Sequence, residues 1–148
     1  MIQTETTRNQ VAIERIFDAP VDLLWRIWTE PDFIMQWFGG DPKGTVISAA
    51  MDLAVGKDYR IHFADSNGNE HTAFGTFTLV ETGKRLHYSW EWLSEPGIIS
   101  YVEVQFTAMG EQSKLELIHR DLHPDSGHQY FAGWTNAINK ISNSCSFN

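Results

Sequence analysis

The feature that most constrains the fold is a long stretch, from Thr45 onward, in which apolar and polar residues alternate with a period of two. Such alternation is typical of half-buried β-strands, because successive side chains point to opposite faces of a sheet. Turn-forming pairs interrupt it at regular intervals, at Gly56-Lys57, Asn67-Gly68, Gly83-Lys84, Pro96-Gly97 and Met109-Gly110. Six strands fit between these turns, and successive hairpins would join them into an antiparallel sheet.

One face of this predicted sheet is rich in large rings. Its apolar positions include Tyr59, Ile61, Phe63, Leu86, Tyr88, Trp90, Trp92, Val102, Val104, Phe106, Leu115 and Leu117. The opposite face carries polar residues such as His87, Glu91 and Glu103, which we expect to be solvated. Only His119 is a polar side chain in register with the apolar face.

Two short helices are predicted before the alternating stretch. Val11 to Phe17 alternates loosely and is expected to form a first strand that ends at Asp18-Ala19-Pro20. The next apolar residues, at Val21, Leu24, Trp25 and Trp28, have helical spacing. Pro31 starts a second short helix that carries Ile34, Trp37 and Phe38 and stops at Gly39-Gly40.

A longer helix is predicted at the C-terminal end. Pro124 marks a break, and Ser126 is a candidate N-cap. The apolar stripe that follows consists of Phe131, Trp134, Ile138, Ile141 and Cys145. The order of strand, two short helices, six strands and long helix predicts an α+β domain over residues 11–148. In it, a curved antiparallel sheet of about seven strands wraps around the last helix, after a polar N-terminal lead over residues 1–10.

Composition narrows the classes of partner. The 148 residues contain 11 Lys and Arg against 19 Asp and Glu, and the net charge of −8 disfavours binding to nucleic acid or to anionic membrane surfaces. No apolar run is long enough to span a membrane, and the first ten residues are polar. The single cysteine, Cys145, excludes an internal disulfide, so a cytoplasmic location is expected.

Four motifs carry a family resemblance over about Val11 to Ile141. They are FDAPVDLLWRIWTEPDFIMQWF at 17–38, Gly75-Thr76-Phe77 before Lys84-Arg85-Leu86, Leu117-Ile118-His119, and His128 leading to Gly133-Trp134. In these the chain resembles bacterial homologues of the ATPase activator of the ninety-kilodalton heat-shock chaperone, a branch of the START-like, polyketide-cyclase-like (SRPBCC) superfamily. The resemblance implies the helix-grip fold and suggests a role connected with chaperones and the stress response. It supplies no catalytic set that these residues match.

The aromatic inner face either fills a core or lines a cavity, and the concave sheet favours the cavity. The ligand-binding residues expected on this interpretation are Tyr59, Phe63, Tyr88, Trp90, Trp92, His119, Phe131, Trp134 and Ile138. No glycine-rich phosphate-binding loop follows a strand, so we expect no nucleotide cofactor.

Histidine chemistry is a weaker hypothesis. His119, His123 and His128 lie within ten positions, but their spacing is not helical and no cysteine or carboxylate completes a set, so no metal site is predicted. His119 is the one weak candidate for a catalytic acid or base, since only it falls on the inner face.

Three functions therefore stay open. The leading hypothesis is a protein that binds a small hydrophobic or aromatic ligand, as a monomer or homodimer. The second is a co-chaperone that stimulates a chaperone ATPase, although only about ten polar residues precede the first strand. The third is an enzyme of the cyclase or hydrolase kind that uses His119 in the same cavity. The sequence favours a binding role over an enzymatic one.

One residue pair makes the packing hypothesis specific. Gly133 has no side chain, so the last helix is expected to approach the sheet closely there. The neighbouring indole of Trp134 should then lie in the concave face, beside Tyr88 or Trp90.

Overall fold

The computed structural model describes residues 4–7, 9–123 and 129–144, which form one sheet and three helices. The strands are β1 (Thr4–Thr7), β2 (Gln10–Phe17), β3 (Thr45–Met51), β4 (Asp58–Ala64), β5 (Glu70–Glu81), β6 (Arg85–Trp92), β7 (Ile99–Met109) and β8 (Gln112–Arg120). The helices are α1 (Val21–Thr29), α2 (Pro31–Trp37) and α3 (Tyr130–Ser144).

The sheet is antiparallel throughout, with the strand order β1-β2-β8-β7-β6-β5-β4-β3. The strands from β3 to β8 follow one another as hairpins, as the turn residues predicted. β2 then pairs with β8, and this pairing places Val11 opposite His119. The early strand and the late strand are thus neighbours, and the predicted helix-grip architecture is confirmed.

The strand count differs from the expected seven by one edge strand. β1 lies within the polar lead of residues 1–10 and pairs with β2, with Thr7 opposite Gln10. An edge strand is held by backbone hydrogen bonds, so it needs no alternation of apolar residues. The segment Thr4–Thr7 therefore carried no hydrophobic signal from which the strand could be predicted.

The two short helices cover one end of the concave face. Pro20 precedes α1 with φ −67°, and Asp22 lies in the first turn, where the helix dipole favours a negative charge. The α1 side chains of Leu24, Ile27 and Trp28 are at most 2% exposed. The indole N–H of Trp37 in α2 donates to the carbonyl oxygen of Ile27 at 2.8 Å, which ties the two helices together.

The long helix α3 packs its apolar stripe into the core. Trp134, Ala137, Ile138 and Ile141 are all buried. Phe131, expected on the same stripe, is instead 39% exposed. It lies in the first turn at one edge of the stripe, and Ala137 occupies the other edge. The predicted positions of Pro124, Ser126, His128 and Cys145 lie outside the described residues.

None of the helices within the described residues has both the length and the apolar character needed to cross a membrane.

Candidate functional site

A cavity of about 340 Å³ lies between the N-terminal half of α3, the loop after α2, and strands β4 to β6. Its apolar wall consists of Phe38, Phe63, Trp90, Trp92, Trp134 and Ala137. Its polar wall includes Asp41, Asp65, His71, Tyr130, Asn136 and Lys140. Apolar walls with a few polar groups are typical of sites for small molecules.

The aromatic wall is held by ring contacts between different elements. Phe38, just after α2, stacks on Trp90 of β6 at 5.7 Å between ring centroids and meets Phe63 of β4 edge-on at 5.3 Å. Trp90 meets Trp92 edge-on at 5.2 Å. The indole N–H of Trp92 donates to the hydroxyl of Tyr130 at 3.0 Å, which fixes the ring. The wall is therefore preformed.

Behind this wall, His119 links α3 to the sheet. The Trp134 indole N–H donates to Nδ1 of His119 at 2.9 Å, so Nδ1 carries no proton. The neutral imidazole then has its proton on Nε2, which lies 2.7 Å from Oγ of Ser100. The Ser100 hydroxyl accepts a hydrogen bond from this N–H group and donates to the carbonyl oxygen of Trp90 at 3.5 Å. Both ring nitrogens are thus occupied.

The imidazole of His119 is held neutral by its surroundings. Its side chain is 0% exposed, and burial lowers its pKa from 6.5 to about 3. In this arrangement both ring nitrogens are engaged within the protein, so neither is free to exchange a proton with a molecule in the cavity, and the catalytic role considered for His119 stays a prediction. Its position explains why a histidine appears in register with apolar residues.

Two glycines bring α3 against the loop after α2. A Cβ atom added to Gly40 would lie 2.8 Å from the Cα atom of Gly133. Asn136 reinforces the contact, because its Nδ2 donates to the carbonyl oxygen of Gly40 at 2.8 Å. The prediction that Gly133 allows close approach is thus correct in kind, but the partner is this loop and not the sheet. Gly40, interpreted from sequence only as a helix stop, is the second half of the contact.

This contact predicts an asymmetry between two substitutions. Gly40→Ala places a methyl group against backbone and should destabilise the protein by about 1–3 kcal/mol, the usual cost of overpacking. Gly133→Ala has its nearest foreign atom at 3.9 Å, and alanine favours a helix over glycine by up to about 1 kcal/mol, so stability should hold or rise. Denaturant unfolding of the two variants checks this. Equal losses would contradict the contact as described.

The carboxylates on the polar wall are held by their own loops. Asp41 accepts hydrogen bonds from the backbone N–H groups of Ser66 and Lys43 and from the Ser66 hydroxyl, and these lower its pKa to about 2. Asp65 accepts from the backbone N–H groups of Asn69 and Asn67, which hold its pKa below the usual value. Both side chains therefore stay ionised and brace the rim of the cavity.

The structure places the expected ligand-binding residues in four different locations. Phe63, Trp90, Trp92 and Trp134 line the main cavity. Tyr59 and Tyr88 line a separate cavity of about 20 Å³, with Trp90 between the two. Two others, His119 and Ile138, are 0% exposed behind the wall, and Phe131 lies on the solvent side of α3.

Sequence reasoning missed the polar wall. Gly133, Asn136, Ala137 and Lys140 follow one another at intervals of three and four residues, so they share one face of α3. This face of small and polar residues lies beside the apolar stripe and meets the cavity. The spacing was the available signal. Asp41 and Asp65 lie in loops, where periodicity gives no indication of position.

Comparison with known proteins places these features in a family. The sequence profile described as "Activator of Hsp90 ATPase homolog 1-like protein" matches residues 18–144. No curated protein matches the sequence.

Solved structures show the same fold. A crystal structure of a protein from Nitrosomonas europaea, 18% identical, covers 94% of this chain and 95% of its own with a TM-score of 0.79. The AHSA1-like protein from Aeromonas hydrophila is 24% identical, with 90% of each chain covered and a TM-score of 0.75. CalU16 from Micromonospora echinospora is 30% identical over 89% of this chain and 73% of its own, with a TM-score of 0.64.

The profile match covers most of the chain, including both short helices, the hairpin strands and α3. The chain therefore belongs to the family of activator of Hsp90 ATPase homolog 1-like proteins.

Proposed function

We propose that this protein binds a small, largely aromatic molecule in the cavity between α3 and the sheet. The observation that carries the proposal is the cavity itself: about 340 Å³ in volume and walled by Phe38, Phe63, Trp90 and Trp92. Sites for small ligands typically measure about 300–1,000 Å³, so this one suits a molecule at the small end of that range.

A second observation points the same way. The indole N–H of Trp90 is buried and, within the part of the chain that the structure describes, has no hydrogen-bond partner. An unpaired buried donor costs about 1–3 kcal/mol, so proteins rarely keep one without a reason. Trp90 lines the cavity, so a ligand whose acceptor group reached this enclosed nitrogen would supply the missing partner.

The aromatic walls also set the mode of recognition. Trp92 of β6 and Trp134 of α3 both line the cavity with their rings. Planar rings interact well with such walls by stacking and edge-on contact, each worth about 0.5–1.5 kcal/mol beyond simple burial. Binding without chemical conversion is the simplest use of the site, since His119 has no free nitrogen toward it.

The neutral fluorescent probe N-phenylnaphthylamine tests the proposal. It should bind with an increase in fluorescence, and Ala137→Phe should weaken binding by at least about tenfold, because the new ring occupies part of the cavity. Native mass spectrometry of the purified protein should also show a bound small molecule.

Two further variants make the result specific to the cavity. Ala132→Phe adds a ring at the exposed rim, where folding should tolerate it, and should also weaken binding. Ala108→Phe places the same ring on an exposed part of β7 and should leave binding unchanged. If all three variants bind the probe as the unchanged protein does, the cavity is not the binding site. If the unchanged protein binds neither the probe nor any copurifying molecule, the proposal fails.

Stimulation of a heat-shock chaperone ATPase is a second candidate, and the description of the family favours it. The expected result is a rise in ATP turnover by the chaperone of the same organism when this protein is added. A cytoplasmic location stays a prediction that suits either function.

A further inference from the structure

Lys140 lies on α3 one turn beyond Asn136 and lines the cavity. Its side chain is partly buried, and among the described residues its ammonium group has neither a hydrogen bond nor an ion pair. Burial lowers the pKa of Lys140, and the charge of Asp41 opposes that shift without coming into contact. A cation removed from water is costly unless it is paired, so a partly buried lysine without a partner at a cavity wall is incomplete.

The neighbouring carboxylates are already engaged. Asp41 accepts three hydrogen bonds from Lys43 and Ser66. Asp65 accepts two from backbone N–H groups on one oxygen, and the side-chain amide of Asn69 donates to the other at 3.1 Å. An ionised carboxylate offers about four lone-pair positions, so little acceptor capacity is left on this wall.

Of the charged side chains on this wall, Lys140 therefore keeps the most unused hydrogen-bonding capacity. Among the described residues, none of the three N–H bonds of its ammonium group has a partner. A complementary ligand must bring acceptors. Negative charge is the stronger complement, because hydrogen bonds that pair a cation with an anion are about twice as strong as neutral ones.

We propose that Lys140 determines the specificity of the cavity by pairing with the carboxylate of an aromatic acid, whose ring lies against Trp90 and Trp92. This inference rests on the proposed function and adds the charge of the ligand to it. The ammonium group is at the polar wall and the rings are at the apolar wall. An aromatic acid with its carboxylate attached directly to the ring can therefore contact both walls at once. Lys140 has a positioning role and takes part in no reaction.

Three naphthalene derivatives of similar size separate the alternatives in calorimetric titrations: naphthalene-2-carboxylate, the neutral naphthalene-2-carboxamide, and the cationic 2-(aminomethyl)naphthalene. We expect the carboxylate to bind at least about tenfold more tightly than the carboxamide, the scale of a charge-assisted hydrogen bond. Lys140→Met should remove this preference and leave carboxamide binding within about twofold. Lys140→Arg should keep most of it, because the positive charge is retained.

A surface variant controls for net charge. Lys57→Met removes an exposed lysine from the turn between β3 and β4, outside the cavity lining, and should keep the preference for the carboxylate. Equal binding of carboxylate and carboxamide, or a preference that survives Lys140→Met, would overturn the role of Lys140. Tighter binding of the amine would assign the charge selectivity to Asp41 and Asp65. Failure of all three probes to bind would count against the proposed function itself. That outcome is therefore distinguishable from one that contradicts only the role of Lys140.

Discussion

Replacing Trp134 with alanine is expected to lower the free energy of unfolding by about 3–5 kcal/mol. The indole is 5% exposed and packs against four rings from four different parts of the chain. It stacks on Trp28 at 6.0 Å and contacts Trp90 at 5.4 Å. The substitution also leaves Nδ1 of His119 as a buried acceptor without its donor. These contacts place Trp134 in the core, although one face lines the cavity, so the full cost of a buried tryptophan applies.

Urea unfolding of three variants measures this. Trp134→Phe keeps one aromatic ring but loses the N–H group and part of the ring volume, so it should cost about 1–3 kcal/mol, less than Trp134→Ala. Phe131→Ala, three residues earlier on the same helix, removes a ring that is 39% exposed and should cost far less than Trp134→Ala. A loss of only about 1–2 kcal/mol for Trp134→Ala would indicate that the indole serves mainly as a cavity wall. A loss below about 0.5 kcal/mol would contradict the packing of α3 against the sheet.

The fold was predictable because its signals are local. Each hairpin turn between β3 and β8 contains a glycine at the expected position, and the alternation between these turns places Trp90 and Leu117 on the buried face. The strand β1 was not predictable in the same way. It is held to β2 by backbone hydrogen bonds, which any sequence except proline can make.

The candidate site was predictable only on its apolar side. The period of two identifies Phe63 and Trp92 as inward-facing, but it cannot decide which rings fill the core and which line a cavity. Tyr59 and Tyr88 show this, since they have the same pattern and yet contact each other edge-on at 5.2 Å, away from the main cavity. That division depends on how far α2 and α3 extend over the sheet.

The polar groups depend on contacts between segments that are distant in sequence. Asn136 reaches the carbonyl oxygen of Gly40 across 96 positions, and His119 receives its hydrogen bond from a helix that begins after it. Such pairings carry no short-range signal. For the same reason, the sequence predicted that Gly133 would approach the sheet, whereas in the structure it contacts the loop after α2.

The buried imidazole of His119 makes stability depend on pH with a defined sign. In the unfolded chain the group takes up a proton below its ordinary pKa of 6.5, whereas in the folded protein its pKa is about 3. Between these values the unfolded state binds more protons, so acid favours unfolding. The contribution of His119 is fully present above pH 6.5 and is lost progressively as the pH falls toward 3, at up to about 1.4 kcal/mol per pH unit and on the order of 5 kcal/mol in total.

This pH dependence is tested by measuring the free energy of unfolding at several pH values between 7.5 and 4.5, for the unchanged protein and for His119→Gln. The glutamine amide can accept from Trp134 and donate to Ser100, so the variant should fold, but it has no proton to gain. Its stability should therefore fall less steeply with acid, by about 1 kcal/mol per pH unit, while all other titrating groups cancel in the difference. His87→Gln, on the polar face of β6, controls for the loss of an imidazole as such. Parallel pH profiles for the unchanged protein and His119→Gln would show that His119 has the same pKa in the folded and unfolded protein, and the buried, neutral imidazole hydrogen-bonded between Trp134 and Ser100 would then have to be abandoned.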